Sequence, residues 1–259
     1  MKPRRPYRLD FPWPAPGTTC RVLAWWCAVI AAAGAIGPGA RALAAEVDSL
    51  DDIAYWTGAG ANRAALAIDF DGDSTTDHAL VWGFRWDGAA TGRDMLDAIV
   101  ASDPRLFARI GDSGPQLGGV MGLGYDRSDD GSFAITVGGP FDAEGFAYGA
   151  PNEADAQAVD PADRYREGWF DGFWHYGIAA GNPYSGGQWT FSRVGASTRP
   201  LSDGDWDSWA FTIDADHPAY YSTIFARNPV IATPPGGHAD FDGDGDVDGG
   251  DFVAWQRGA

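Results

Sequence analysis

Apolar positions along the chain alternate over short stretches and seldom recur at helical spacing. Leu66-Ala-Ile68-Asp-Phe70 reads as a strand. Ala79-Leu-Val-Trp-Gly-Phe-Arg-Trp86 reads as another, with Leu80, Trp82, Phe84 and Trp86 on one face. Phe133–Val137, Phe173–Tyr176, Trp189–Phe191 and Trp209–Ile213 complete the set. Asp-Gly, Gly-Gly and Asn-Pro dipeptides between these runs are turn signals. The pattern predicts a mainly β fold, an antiparallel sandwich or barrel, with a helix insert.

Thr91-Gly-Arg-Asp94 starts that helix as a capping box. The Thr91 side chain would accept from the helix backbone, and Asp94 would reach back to the cap. Met95, Leu96 and Ile99 form its apolar stripe, and Asp103-Pro104 ends it, because proline disfavours helix at the preceding residue. A second short helix fits Arg105–Ile110. Asp71-Gly72 reads as a hairpin turn, and so does Asp129-Asp130-Gly131. Asp69, Asp71 and Asp73 occupy three calcium-loop offsets, but Ser74 stands where the loop needs glycine and Leu80 where it needs a ligand, so the hairpin reading fits better.

The two ends carry different signals. Lys2, Arg4, Arg5, Arg8 and Arg21 precede an apolar run from Val22 to about Ile36, followed by Gly-Pro-Gly and Ala42-Leu43-Ala44. This is the layout of a secretory signal peptide over residues 1–44, cleaved after Ala44. The run is short for a membrane span, so none is expected after cleavage. Both cysteines, Cys20 and Cys27, lie within residues 1–44, and the mature chain would have no disulfide, thiolate metal site or Cys nucleophile. The full chain carries −18. Losing residues 1–44 removes six basic residues and Asp10, leaving 12 basic against 35 acidic side chains, or −23. That surface repels nucleic acid and anionic membranes.

At the other end, Asp240-Phe-Asp242-Gly-Asp244-Gly-Asp246-Val-Asp248-Gly-Gly-Asp251 carries the spacing of a twelve-residue calcium loop. Asp240, Asp242, Asp244, Asp246, Asp248 and Asp251 fall at positions 1, 3, 5, 7, 9 and 12, with Gly245 at 6. Position 7 contributes its carbonyl, so the Asp246 side chain is not required as a ligand. Phe252-Val-Ala-Trp255 follows as a short helix-like run. With Asp at position 12 and one following helix, residues 239–259 resemble a single type I dockerin repeat, although a dockerin has two. The resemblance implies Ca2+ as cofactor and a cohesin-like or cell-surface protein as partner, with Phe252 and Trp255 as docking anchors. Residues 227–238, rich in Pro and Gly, read as a linker between a body over 45–226 and this half-module.

The body resembles a group of secreted bacterial proteins of the planctomycete type. Tyr55-Trp-Thr-Gly-Ala-Gly60 and Val81-Trp-Gly-Phe-Arg-Trp-Asp-Gly88 carry that likeness, and it implies location more than chemistry. Trp169, Trp174, Trp189 and Trp206 are the candidate ligand-binding residues. A flat ring beside polar side chains suits a polysaccharide, and Trp206, in an Asp-Gly-Asp turn, is the one expected to be exposed. No serine elbow, zinc helix or P-loop is legible, and no catalytic residue is assigned. Glu167 and Asp171 are the nearest to a carboxylate pair, and His175 reads as a packed strand residue. The sequence therefore suggests a secreted noncatalytic binding or surface-assembly protein. The alternatives are a polysaccharide-active enzyme tethered by its tail and a small-ligand-binding surface protein.

Overall fold

A computed structural model describes residues 47–70, 79–114, 117–170, 172–212, 225–227 and 229–234. The segment 1–44, read as a signal peptide, and residues 240–251, read as a calcium loop, lie outside them. Within them the fold is mainly β with one helix, as the alternation implies.

The central hairpin pairs β2 (Asn62–Asp69) with β3 (Leu80–Trp86), Ile68 opposite Leu80. Asp69 is fully buried and ion-paired to Arg227 at 2.7 Å, so it anchors the chain's later segment. The free edge of β3 is covered in parallel by β1 (Trp56–Gly58) and β11 (Val230–Ile231). On the far side β2 pairs in parallel with β10 (Asp205–Thr212), which pairs antiparallel with β8 (Phe173–Ala180) and through it with β9 (Thr190–Phe191). The segments Tyr55–Gly60 and Val81–Gly88 meet here. The Trp56 ring lies on Gly83, where a Cβ would come within 2.3 Å of it, and the Arg85 guanidinium caps that ring at 4.7 Å.

The helix α1 (Gly92–Ser102) forms as its sequence dictates. Thr91 accepts from the Asp94 amide at 3.2 Å and Asp94 accepts from the Thr91 amide at 2.8 Å. Met95, Leu96, Ile99 and Val100 are buried. The helix stops at Asp103, whose carboxylate accepts from the Trp82 indole at 2.9 Å and pairs with Arg105 at 2.9 Å.

Arg105–Ile110 is not a second helix. It holds β4 (Leu106–Ile110), with Leu106, Ala108 and Ile110 inward and Phe107 and Arg109 on the opposite face. Around it lie β5 (Val120–Tyr125), β6 (Phe146–Tyr148) and β7 (Arg164–Glu167), in the order β6-β4-β5-β7. Both sheets mix parallel and antiparallel pairs, so the architecture is not purely antiparallel. One apolar core joins α1 to a face of each sheet. The other face of the larger sheet is covered too, by Val47, Ile53, Tyr184 and Trp189.

Two further expectations change. Phe133–Val137 is a loop with a single bridge, Ile135 to Ala158. Gly131, Gly138 and Gly139, all at positive φ, turn the chain on both sides of it. Asp126–Gly131 is a turn that opens a long excursion, since β5 pairs with β4 and β7 rather than with the next strand. Some of the described residues of 227–238 take part in the packing. Val230 and Ile231 extend the larger sheet, Ala232 is buried, and the Thr233 carbonyl accepts from Arg105 at 2.5 Å.

Candidate functional site

The larger sheet alternates its side chains, and this sorts the four candidate tryptophans. On β10, Asp207, Trp209 and Phe211 face the shared core, and Trp206 faces the opposite way. Trp206 is only 1% exposed, against the expectation from its turn. Asp203 and Asp205 spend their carboxylates locally, accepting from the Arg63 and Ser202 amides at 2.8 and 2.7 Å. That frees Trp206 to pack edge-on against Tyr184. Trp189 packs against Tyr184 on that same face. Trp174 is buried on the core face, its indole donating to the Arg166 carbonyl at 3.2 Å. Trp169 is half-buried.

Trp169 and Trp174 do come together. They border a cavity of about 510 Å³ closed by residues 117–120 and by the 191–198 segment. That volume lies within the roughly 300–1,000 Å³ of small-molecule sites. Tyr176, Trp209, Phe173 and Phe191 complete its aromatic lining. Tyr176 and Trp209 are cross-strand partners on β8 and β10, and their rings stack at 4.5 Å and 20°. Trp169 meets Phe173 edge-on at 5.8 Å. Its backbone is pinned by Glu153, which accepts from the Trp169 amide at 3.0 Å and the Phe170 amide at 3.2 Å. Ser192, Ser197 and Thr198 add hydroxyls, and Leu117 and Val194 form an exposed apolar rim.

Beneath Tyr176 lies a buried polar cluster. The Tyr176 hydroxyl donates to Asp207, which is fully buried. Arg199 reaches Asp205 at 3.0 Å and Asp207 at 3.4 Å. Burial pushes the Asp207 carboxyl up to about 6, outweighing the Tyr176 hydrogen bond and the Arg199 charge. Burial and the neighbouring Asp207 also raise Tyr176. Gly92 opens α1 against this cluster, where a Cβ would lie 2.1 Å from the Tyr176 hydroxyl.

Glu167 is not a free catalytic carboxylate. It is buried on the outer face of the smaller sheet and paired with Arg109 at 3.2 Å. It accepts from Tyr165 at 2.7 Å and from the Asn152 amide at 2.6 Å. Asp171 lies outside the described residues. His175 is 1% exposed and packed edge-on against Phe173 and Phe191. Burial lowers it to about 4. Among the described residues no group of three or more His, Cys, Asp or Glu could hold a metal ion. Asp240, Asp242, Asp244, Asp246, Asp248, Asp251, Phe252 and Trp255 lie outside them.

The stretch Trp169–Tyr176 drew attention to the site through its aromatic density. Phe191 and the wall over 192–198 carry no such signal, since an ordinary Ser-Arg-Val-Gly-Ala-Ser-Thr run lines the cavity only through its position. No helix among the described residues is long and apolar enough to cross a membrane. Comparison of the chain with protein-family models, curated proteins and solved structures finds no match.

Proposed function

We propose that this chain is an exported, noncatalytic binding or surface-assembly protein that holds a saccharide in its aromatic cavity and binds calcium through its C-terminal loop. The cavity carries the first half of this reading. Rings on several of its sides suit the apolar faces of a sugar, and the hydroxyls of Ser197 and of Thr198, the latter donating to the Gly195 carbonyl and left to accept, suit its polar edge. Trp169 is the tryptophan left half-buried at that cavity, with Phe173 and Phe191 also partly open, so it can gain contact area from a ligand. The aspartate spacing of 240–251 carries the second half: clustered carboxylates repel one another until a cation neutralises them.

For the first half, oligosaccharide binding to the mature chain should shift its tryptophan fluorescence. Trp169→Ala should weaken that binding about tenfold, as expected for loss of a stacking platform worth roughly 1.4 kcal/mol. An unchanged affinity would remove the saccharide from this cavity. For the second, calorimetric titration with calcium should give a stoichiometry of about one for a single loop. It should vanish in Asp240→Ala/Asp251→Ala. No heat at millimolar calcium would overturn the calcium reading. A calcium-dependent capture of a cell-surface partner would then separate assembly from simple tail ordering.

A further inference from the structure

The basic residues of the body are almost all committed. Arg63, Arg93, Arg105, Arg109, Arg199 and Arg227 each meet a carboxylate. Arg85 lies over Trp56, and Arg164 donates to the carbonyls of Ala162 and Asp163. Arg193 is different. It is exposed, it borders the aromatic cavity, and it makes no hydrogen bond, ion pair or ring contact among the described residues. Acidic residues outnumber basic ones 36 to 18 in this chain. Yet the described residues lining the cavity include no Asp or Glu, and Arg193 is the one basic residue among them. The described lining of the cavity thus carries one guanidinium and no carboxylate, while the nearest described acids, Asp205, Asp207 and Glu153, are held by Arg199, Tyr176 and backbone amides.

A guanidinium presents paired N–H donors in a plane, matched to carboxylate or sulfate oxygens. Beside it, the rings of Trp169, Phe173 and Phe191 offer apolar surface and the 197–198 hydroxyls offer neutral hydrogen bonds. An acidic protein holds anions at a distance through its overall field, so a cation kept free at a ligand cavity supplies selectivity that the rest of the surface opposes. We propose that this cavity selects an anionic saccharide, one whose ring carries a carboxylate or a sulfate ester, and that Arg193 reads the charge. The inference rests on the saccharide reading and adds the ligand class and the residue that sets it.

The test uses the whole mature chain and three oligosaccharides of equal length: neutral, uronate-bearing and sulfated. At least one anionic form should bind ten- to a hundredfold tighter than the neutral one, the range of a charge-assisted hydrogen bond. Arg193→Gln should erase that preference, bringing anionic binding down to the level of the neutral sugar, with Arg193→Lys between the two. The uronate and sulfated arms separate the two sources of charge. Arg193 is exposed, so these variants leave the core intact. Equal binding of all three sugars, unmoved by Arg193→Gln but weakened by Trp169→Ala, would overturn the charge proposal and keep the saccharide reading. Binding of none would overturn both. Anion binding that ignores Trp169→Ala would overturn the proposal by placing the charge effect outside this cavity.

Discussion

Replacing Arg109 with Met should destabilise the body by about 3–5 kcal/mol at neutral pH, the usual cost of leaving one member of a buried ion pair unmatched. Arg109 and Glu167 are 3% and 4% exposed, so water screens neither. The guanidinium also holds the covering loop, donating to the Gly138 carbonyl at 2.5 Å. Without it Glu167 keeps its hydrogen bonds from Tyr165 and Asn152 but loses its counter-charge. Adding Glu167→Gln should recover part of the loss, because it removes the unmatched charge and its amide oxygen still accepts from the Asn152 amide, while its NH2 meets the Tyr165 hydroxyl, which must then accept. Urea denaturation of the single and double variants reads both effects. A single-variant loss below about 1 kcal/mol would mean the pair contributes no more than a surface contact.

The second large effect is a cancellation between two buried groups on opposite faces of the larger sheet. Asp207 has its folded pKa raised from 3.8 to about 6, so its contribution is complete below the lower value and lost as pH rises through the upper. His175 is lowered from 6.5 to about 4, so its contribution is complete above the upper value and lost as pH falls through the lower. Each is worth roughly 3 kcal/mol. Between about pH 4 and 6 they oppose each other, and the parent protein should feel little from the pair. Single variants expose the two slopes. Relative to the parent, Asp207→Asn should lose roughly 3 kcal/mol on acidification across that window, and His175→Asn should gain a similar amount. Reading differences against the parent cancels the other carboxylates. Two flat difference curves would show that neither group is shifted as its burial implies.

The larger sheet was legible because its strands alternate large apolar residues with short ones. Leu80, Trp82, Phe84 and Trp86 announced a face, and the capping box announced the helix start. The smaller sheet was not. Its β5 reads Val-Met-Gly-Leu-Gly-Tyr, and the glycines erase the period. They are there because a Cβ at 122 would sit 2.5 Å from the Tyr165 hydroxyl, and one at 124 would sit 2.4 Å from the Phe133 ring. Those neighbours are remote in sequence, so nothing local signals them. Leu106-Phe-Ala-Arg-Ile110 was misread for a related reason. Arg109 is buried by its pairing with Glu167, and a lone arginine in a short run carries no hint of that partner. The site divided in the same way. Aromatic density pointed to Trp169 and Trp174, while strand parity, invisible without the sheet, sent Trp189 and Trp206 to the opposite face.

The short β11 strand has a mechanical consequence. It lies parallel to β3, held by the amide of Val230 on the Ala79 carbonyl and that of Ala232 on the Val81 carbonyl. A load applied to the chain beyond Pro234 would reach the Arg105 contact with Thr233 first, then these two bonds in turn, and then Arg227 on Asp69. The fastenings would open one after another rather than together, like a zip. Each release would lengthen the tether by a few residues while β2, β3 and β10 stay paired. A pull from an anchored tail would thus be absorbed by this strip before it strained the aromatic cavity.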